Sequence, residues 1–256
     1  MKSMQTMFDL SGKKAILVGG AGDLGYSMAE ALVEAGAECA MIDISNKVYT
    51  LAKTLSEGGY TVYPIQADIS ERAQIEQSYK QALKHLKGQV DILVNAAGIQ
   101  RRYPSEVFPA KDWDEVLAVN LSAPFFYCQL AANSMIPNGG GKIINVASIQ
   151  SYCGGVTIPA YVATKGGIGQ LTKTLSNDWA AKGINVNAIA PGYMDTQLNT
   201  ALVADPVRSA EILSRIPQKR WGRGDDMKGI TVFLASAASD YVNGTVIPVD
   251  GGYLGR

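Results

Sequence analysis

The sequence predicts an α/β fold: one Rossmann-type domain, a doubly wound parallel sheet of about seven strands with helices on both faces. Three observations predict it. Short apolar runs recur along the chain, longer segments of helical period separate them, and a glycine-rich turn follows the first run and opens a helix. Strands buried on both faces read as continuous apolar runs, and parallel neighbours need a crossover between them, so this alternation specifies a parallel sheet.

In chain order, Ala15 to Val18 is the first strand, and Leu24 to Ala35 has the length and apolar spacing of its crossover helix. Cys39 to Ile42 stops at Asp43, and Thr61 to Ile65 is the third run. Helical period over Ser70 to Leu86 precedes the strand Ile92 to Val94. A second such segment, Leu121 to Met135, is joined by the tight turn Asn138 to Gly141 to Ile143 to Val146. Ala160 to Ala181 leads into Ile184 to Ile189, and Asp225 to Ala235 precedes the last run, Val246 to Val249. The stretch from Gly192 to Arg223 breaks this rhythm. It carries two prolines, mixed polarity and no companion strand just past a strand end, where such sheets bind ligands, so it reads as an irregular substrate lid. No repeat or linker divides the chain, so residues 1–8 read as a tail and 9–256 as one domain.

Lysines plus arginines number 23 and aspartates plus glutamates 23, without a basic run, which argues against nucleic acid or an anionic membrane and for a small-molecule substrate. No span of about 18 apolar residues exists, and residues 1–10 lack the basic start and apolar core of a signal peptide, so the expected location is cytoplasmic. Cys39, Cys128 and Cys153 lack metal-ligand spacing and read as reduced core thiols; no metal is expected. His85 is the only histidine and lies in a polar segment. A Ser-His-Asp nucleophile therefore has no base.

The turn Gly19-Gly20-Ala21-Gly22-Asp23-Leu24-Gly25 lets the backbone bend sharply and approach a pyrophosphate, whose charge suits the free amides and dipole of the helix start. Asp43 closes the second strand 18 residues beyond Gly25. A carboxylate there holds both ribose hydroxyls and repels a 2'-phosphate, so the expected cofactor is NAD rather than NADP. Ser148, Tyr161 and Lys165 form a second constellation. Tyr161 and Lys165 stand one helical turn apart, so an ammonium beside a phenol would favour phenolate, and the Ser148 hydroxyl would hold the reacting oxygen. Alone, the pair reads more readily as surface residues; beside a nucleotide turn it reads as a proton-transfer site.

These residues resemble the short-chain dehydrogenase/reductases. Val18 to Gly25 is similar to their cofactor loop, Asn95-Ala96-Ala97-Gly98 to their Asn-Asn-Ala-Gly turn, Pro191-Gly192 to their nicotinamide-side turn, and Asn120, Ser148, Tyr161 and Lys165 to their catalytic tetrad. The resemblance implies that Tyr161 is the general acid/base, that Lys165 lowers its pKa and binds the nicotinamide ribose, that Ser148 orients the substrate oxygen and that Asn120 holds a relay water. It further implies cofactor contacts from Gly19, Gly22, Asp23, Leu24, Gly25, Asp68, Ile69, Asn95, Ala96, Gly98, Pro191, Gly192 and Thr196. Two positions depart from the pattern: Val18 stands where the family usually has Thr, and Asp23 where it has Gly. Within the family the chain resembles the sugar-acid branch of gluconate 5-dehydrogenases and 2-deoxy-gluconate (2-keto-3-deoxygluconate) dehydrogenases. A carboxylate clamp is expected from Arg102, with Arg101 as the alternative, and pocket walls from Gln150, Tyr193 and Trp221. Rival readings are a polyol or sugar dehydrogenase, a 3-oxoacyl-type carbonyl reductase and, remotely, a non-catalytic cofactor-binding protein. A homotetramer is expected, with the apolar end piece Asp250 to Arg256 packed across a two-fold axis.

Overall fold

The structure, a computed structural model, describes residues 3–255. Met1, Lys2 and the terminal charge of Arg256 lie outside the described residues. Seven parallel strands form one sheet in the order β3-β2-β1-β4-β5-β6-β7. They are β1 Lys14–Val18, β2 Glu38–Asp43, β3 Val62–Gln66, β4 Ile92–Asn95, β5 Gly141–Val146, β6 Ile184–Pro191 and β7 Val246–Val249. Each expected run lies within one or two residues of its strand, the usual uncertainty of element ends.

Helices α1 Met4–Met7, α2 Asp23–Glu34, α3 Lys47–Glu57, α4 Arg72–His85, α5 Ala110–Leu117, α6 Ala123–Met135, α7 Pro159–Trp179, α8 Thr200–Ala204, α9 Pro206–Arg215 and α10 Asp225–Ala235 complete the chain. The pleat of β1 divides the core. Ala15 and Leu17 join Met28 and Leu32 of α2 and Met227 and Leu234 of α10, whereas Ile16 and Val18 join Ile75 of α4, Tyr127 of α6 and Leu175 of α7. Burying both faces is what makes these strands apolar throughout.

The stretch 192–223 corrects the expectation of an irregular lid, because α8 and α9 fold within it. Asp205 caps α9, its Oδ1 accepting from the amides of Val207 at 3.0 Å and Arg208 at 3.1 Å, and Pro206 is its first residue. The proline there starts a helix rather than breaking one. At the neck of the lid, the Asp195 amide donates to the Gly222 carbonyl at 2.8 Å and the Gly222 amide to the Tyr193 carbonyl at 2.9 Å. Strand order reverses between β1 and β4, which opens a crevice at the carboxyl ends of the strands. Among the described residues, no helix is long and apolar enough to cross a membrane.

Candidate active site

The glycine turn is held to the sheet by its own backbone. The amides of Gly19 and Gly20 both donate to the Ile42 carbonyl, at 2.7 and 3.2 Å. Gly19 has φ +91°, and a Cβ there would collide with the Ala97 nitrogen; one on Gly25 would collide with the Gly19 carbonyl. Gly25 therefore shapes the loop from beneath. Asp43 braces it from the side, Oδ2 accepting from the Ala21 amide at 2.9 Å and Oδ1 from the Ser45 amide at 2.8 Å.

Three adjoining clefts follow the strand ends. The first, about 350 Å³, is lined by Gly19, Gly22, Asp43, Asp68, Ile69, Ala96 and Gly98. A narrow one of about 100 Å³ brings together Leu24, Pro191, Gly192, Thr196, Ser148, Tyr161 and Lys165. The third, about 540 Å³, is walled by Arg102, Ser148, Gln150, Tyr161 and Tyr193 on one side and by the lid on the other. Ser148 and Tyr161 therefore stand at the seam between the narrow cleft and the wide one.

A family model described as enoyl-(acyl carrier protein) reductase matches residues 19–254. The 2-dehydro-3-deoxy-D-gluconate 5-dehydrogenase of Bacillus subtilis is 42% identical over 256 residues, all of both chains. Its Escherichia coli namesake is 45% identical over 97% of this chain and 98% of its own. The crystal structure of a gluconate 5-dehydrogenase from Burkholderia cenocepacia, in complex with NADP and tartrate, is 41% identical with a TM-score of 0.95, covering 99% of this chain and all of that one. The chain belongs to the short-chain dehydrogenase/reductase family. It is an NAD(P)-dependent oxidoreductase acting on CH–OH groups.

In this short-chain dehydrogenase, burial decides the electrostatics of the tetrad. Burial pushes the Tyr161 phenol above its ordinary range, while the neighbouring Ser148 hydroxyl and the charge of Arg102 oppose the shift. Burial also pushes the Lys165 ammonium down, to about 8. The expected lowering of the phenol by Lys165 is therefore corrected for the ligand-free chain. Lys165 Nζ lies 5.6 Å from the centre of the Tyr161 ring and donates instead to the Val146 carbonyl at 2.7 Å. The Ser148 hydroxyl donates to Gln150 Oε1 at 2.9 Å and accepts from the Gln150 amide at 3.2 Å, which holds it at the mouth of the wide cleft.

Asn120 lies in a π-helical turn over Ala118–Ser122, a distortion frequent at functional sites. Its Oδ1 accepts from the Ile99 amide at 2.8 Å, and its Nδ2 donates to the Ile99 carbonyl at 2.9 Å and to Thr164 Oγ1 at 3.4 Å. With both amide hydrogens engaged, the side chain clamps the loop, and the second lone pair of its oxygen is the group left to hold a water. Gly98 lines both the first cleft and the narrow one, and a Cβ there would make ordinary contact, 3.6 Å from both Asn120 Oδ1 and Lys165 Nζ.

Four more placements differ from expectation. Asn95 pairs with Val18 across β1 and β4 and turns into the core, where its Nδ2 donates to Asn145 Oδ1 at 2.9 Å and its Oδ1 has no partner among the described residues. It therefore holds the sheet, not a ribose. Asp23 reaches across the crevice, its Oδ2 accepting from the Gln197 amide at 2.7 Å, so its charge ties the helix start to the lid. Arg101 is removed from the substrate wall by an ion pair with Glu115, its Nη2 lying 2.9 Å from both carboxylate oxygens. Trp221 lies behind that wall: its Nε1 donates to Ser209 Oγ at 3.1 Å and its ring supports Tyr193 edge-on at 5.9 Å. Cys39 and Cys128 are buried, but Cys153 is only half-buried and borders the wide cleft.

Arg208, Arg215 and Tyr253 also line the wide cleft. The sequence signal for the two arginines was Asp205-Pro206, which starts a helix and sets Arg208, Ile212 and Arg215 on one face. Reading the stretch as irregular hid it.

Proposed function

We propose that the chain is a dehydrogenase of six-carbon sugar acids of the gluconate, 2-deoxygluconate or keto-deoxygluconate type, interconverting a secondary alcohol and a ketone. The observation that carries the reading is the charge of the substrate cleft. Arg102 faces Tyr161 there while its neighbour Arg101 is neutralised by Glu115, so one cation is left for a carboxylate near the reacting carbon. Charge-assisted contacts of this kind contribute about 1.5 to 3 kcal/mol. The names of the Bacillus, Escherichia and Burkholderia relatives support the same substrate class.

The two clefts that meet at Gly98 and the glycine turn suit a nicotinamide dinucleotide, held by Gly19, Gly22, Asp43, Asp68, Ile69 and Ala96 on the adenine side and by Leu24, Pro191, Gly192, Thr196 and Lys165 on the other. When bound, it supplies the hydride chemistry. Tyr161 takes the proton of the substrate hydroxyl in oxidation and returns it in reduction. Ser148 donates to the substrate oxygen once Gln150 releases it, and Lys165 holds positive charge beneath Tyr161.

Asp43 supports NAD(H) as the preferred form, since a 2'-phosphate would meet its carboxylate. The NADP of the Burkholderia structure supports the opposite preference, and Lys47, which lines the same cleft, would be its cation here. Comparing kcat/KM for the two cofactors decides between them, and Asp43→Ser should narrow an NAD preference. An apolar edge supports a homotetramer: β7 ends the sheet half-buried, and Tyr241 near it is fully exposed. A stable monomer in sedimentation at micromolar concentration would refute the tetramer.

The substrate reading is tested by steady-state kinetics on gluconate, 5-ketogluconate, 2-dehydro-3-deoxygluconate and neutral polyols. Arg102→Ala should raise KM for the acids at least tenfold. If the polyols are turned over better than every acid by the wild type, a polyol dehydrogenase is the right description.

A further inference from the structure

The lid brings a second cation to the substrate cleft. Arg208 and Arg215 of α9 both line it, but Arg208 Nη1 lies 3.4 Å from Glu211 Oε2 on the same helix and is neutralised there. Arg215 makes no ion pair among the described residues. Its guanidinium carbon instead lies 4.9 Å from the centre of the Tyr253 ring. Tyr253 packs on Tyr193 at 5.4 Å, Tyr193 on Trp221 at 5.9 Å, and Trp221 is bonded back to Ser209 of α9. Three rings thus fix the guanidinium from below and return to the helix that carries it. A guanidinium seated on a ring keeps the N–H donors at its edge, which are the ones that grip a carboxylate.

Among the described residues the cleft therefore holds two cations without carboxylate partners, Arg102 on the sheet side and Arg215 on the lid side. An ion pair for Arg215 would have been the ordinary solution, and the nearest acidic residue of its helix, Glu211, is already engaged. We propose that Arg215 is a second anion-recognition residue of the substrate site, mounted on the lid, so that the acid's charge draws α9 toward the wall carrying Arg102. The inference rests on the sugar-acid reading above and adds to it: acidity of the substrate is read twice, once by the sheet and once by the lid.

The test is the affinity of gluconate for the enzyme loaded with reduced cofactor, a dead-end complex that does not turn over, with sorbitol as the neutral comparator. Arg215→Gln should weaken gluconate binding about tenfold or more, the size of a lost charge-assisted contact, and should flatten its dependence on ionic strength. Arg215→Lys should recover part of the loss. Tyr253→Leu keeps the charge and removes its seat, so it should cost an intermediate factor and serves where Arg215→Gln fails to fold. If Arg102→Ala weakens gluconate binding but Arg215→Gln and Tyr253→Leu leave it within twofold of wild type, the lid-borne receptor is refuted and the sugar-acid reading stands. If Arg102→Ala also leaves gluconate no weaker relative to sorbitol, both fall together.

Discussion

The two sides of the crevice are built from different materials. On the cofactor side, strand ends and glycine turns present backbone: the Gly19 and Gly20 amides are tied to Ile42, and Asp43 bonds two further amides. On the substrate side, side chains from the β4 loop, the lid and the chain's end converge on one cleft. Backbone geometry leaves few alternatives, so the first side recurs wherever the turn recurs. Side-chain geometry depends on every residue of the elements that carry it. Chemistry common to many substrates belongs on the first kind of surface, and choice among substrates on the second.

Tyr161 sits where the two meet, and its replacement is the severest test of that division. Tyr161→Phe should lower turnover by about 10²- to 10⁴-fold, the usual contribution of a general acid/base, while cofactor affinity measured by fluorescence titration stays near wild type. Loss of cofactor affinity as well would show that the two sides are not separable there.

Lys165 sharpens the comparison through pH. Its folded pKa, about 8, lies below the ordinary 10.5, so the unfolded chain binds more protons between those values. Below pH 8 the buried ammonium costs stability, and that cost is relieved as pH rises toward 10.5. Lys165→Met should remove this rise, a contribution of a few kcal/mol, from the pH dependence of ligand-free denaturant unfolding. An unchanged slope above pH 8 would mean that Lys165 is not desolvated. The same variant should weaken cofactor binding and turnover together.

Asp23 is where a side chain intrudes on the backbone side. Asp23→Gly removes a negative charge from the start of α2 and unties Gln197, so cofactor affinity should rise about two- to fivefold, the scale of a charge at a helix terminus. Tryptic cleavage within residues 197–223 should quicken at the same time. Weaker cofactor binding would show that the tie to the lid matters more than the charge.

The smallest effect is expected in the sheet. Val18→Thr sets a hydroxyl beside the unpartnered Oδ1 of Asn95 on the same face, at nearly constant volume. Satisfying that oxygen should add about 1 kcal/mol and raise Tm by about 2 to 4 °C in calorimetry. A lower Tm would place the oxygen's partner elsewhere.

The same contrast explains what could be read in the sequence. Fully apolar strands such as Ala15 to Val18, and a turn whose glycines are enforced by collisions with Ala97 and Gly19, announce themselves because one local cause dictates each residue. Ser148, Tyr161 and Lys165 meet in the narrow cleft for the same reason, as fixed spacings along elements that the sheet positions. Helices α3 and α5 were missed because their short amphipathic patterns lie in polar stretches. Asn95, Arg101 and Trp221 were misplaced because each is claimed by a distant partner, Asn145, Glu115 and Ser209. Nothing near those residues in sequence names such partners.

The lid leaves the end of β6 and closes on itself where Gly222 exchanges two backbone hydrogen bonds with Tyr193 and Asp195. A segment that begins and ends at a single neck behaves as a cassette. The cost of closing a loop grows only slowly with its length, so insertions between 195 and 221 need not disturb the neck. Descendants of one ancestral gene could diverge in diet first by rewriting that interval, while the surrounding sheet and the wall carrying Arg102 pass unaltered from parent to offspring. A graft of the interval from a relative with a different preference is thus the smallest exchange by which one substrate habit could be traded for another.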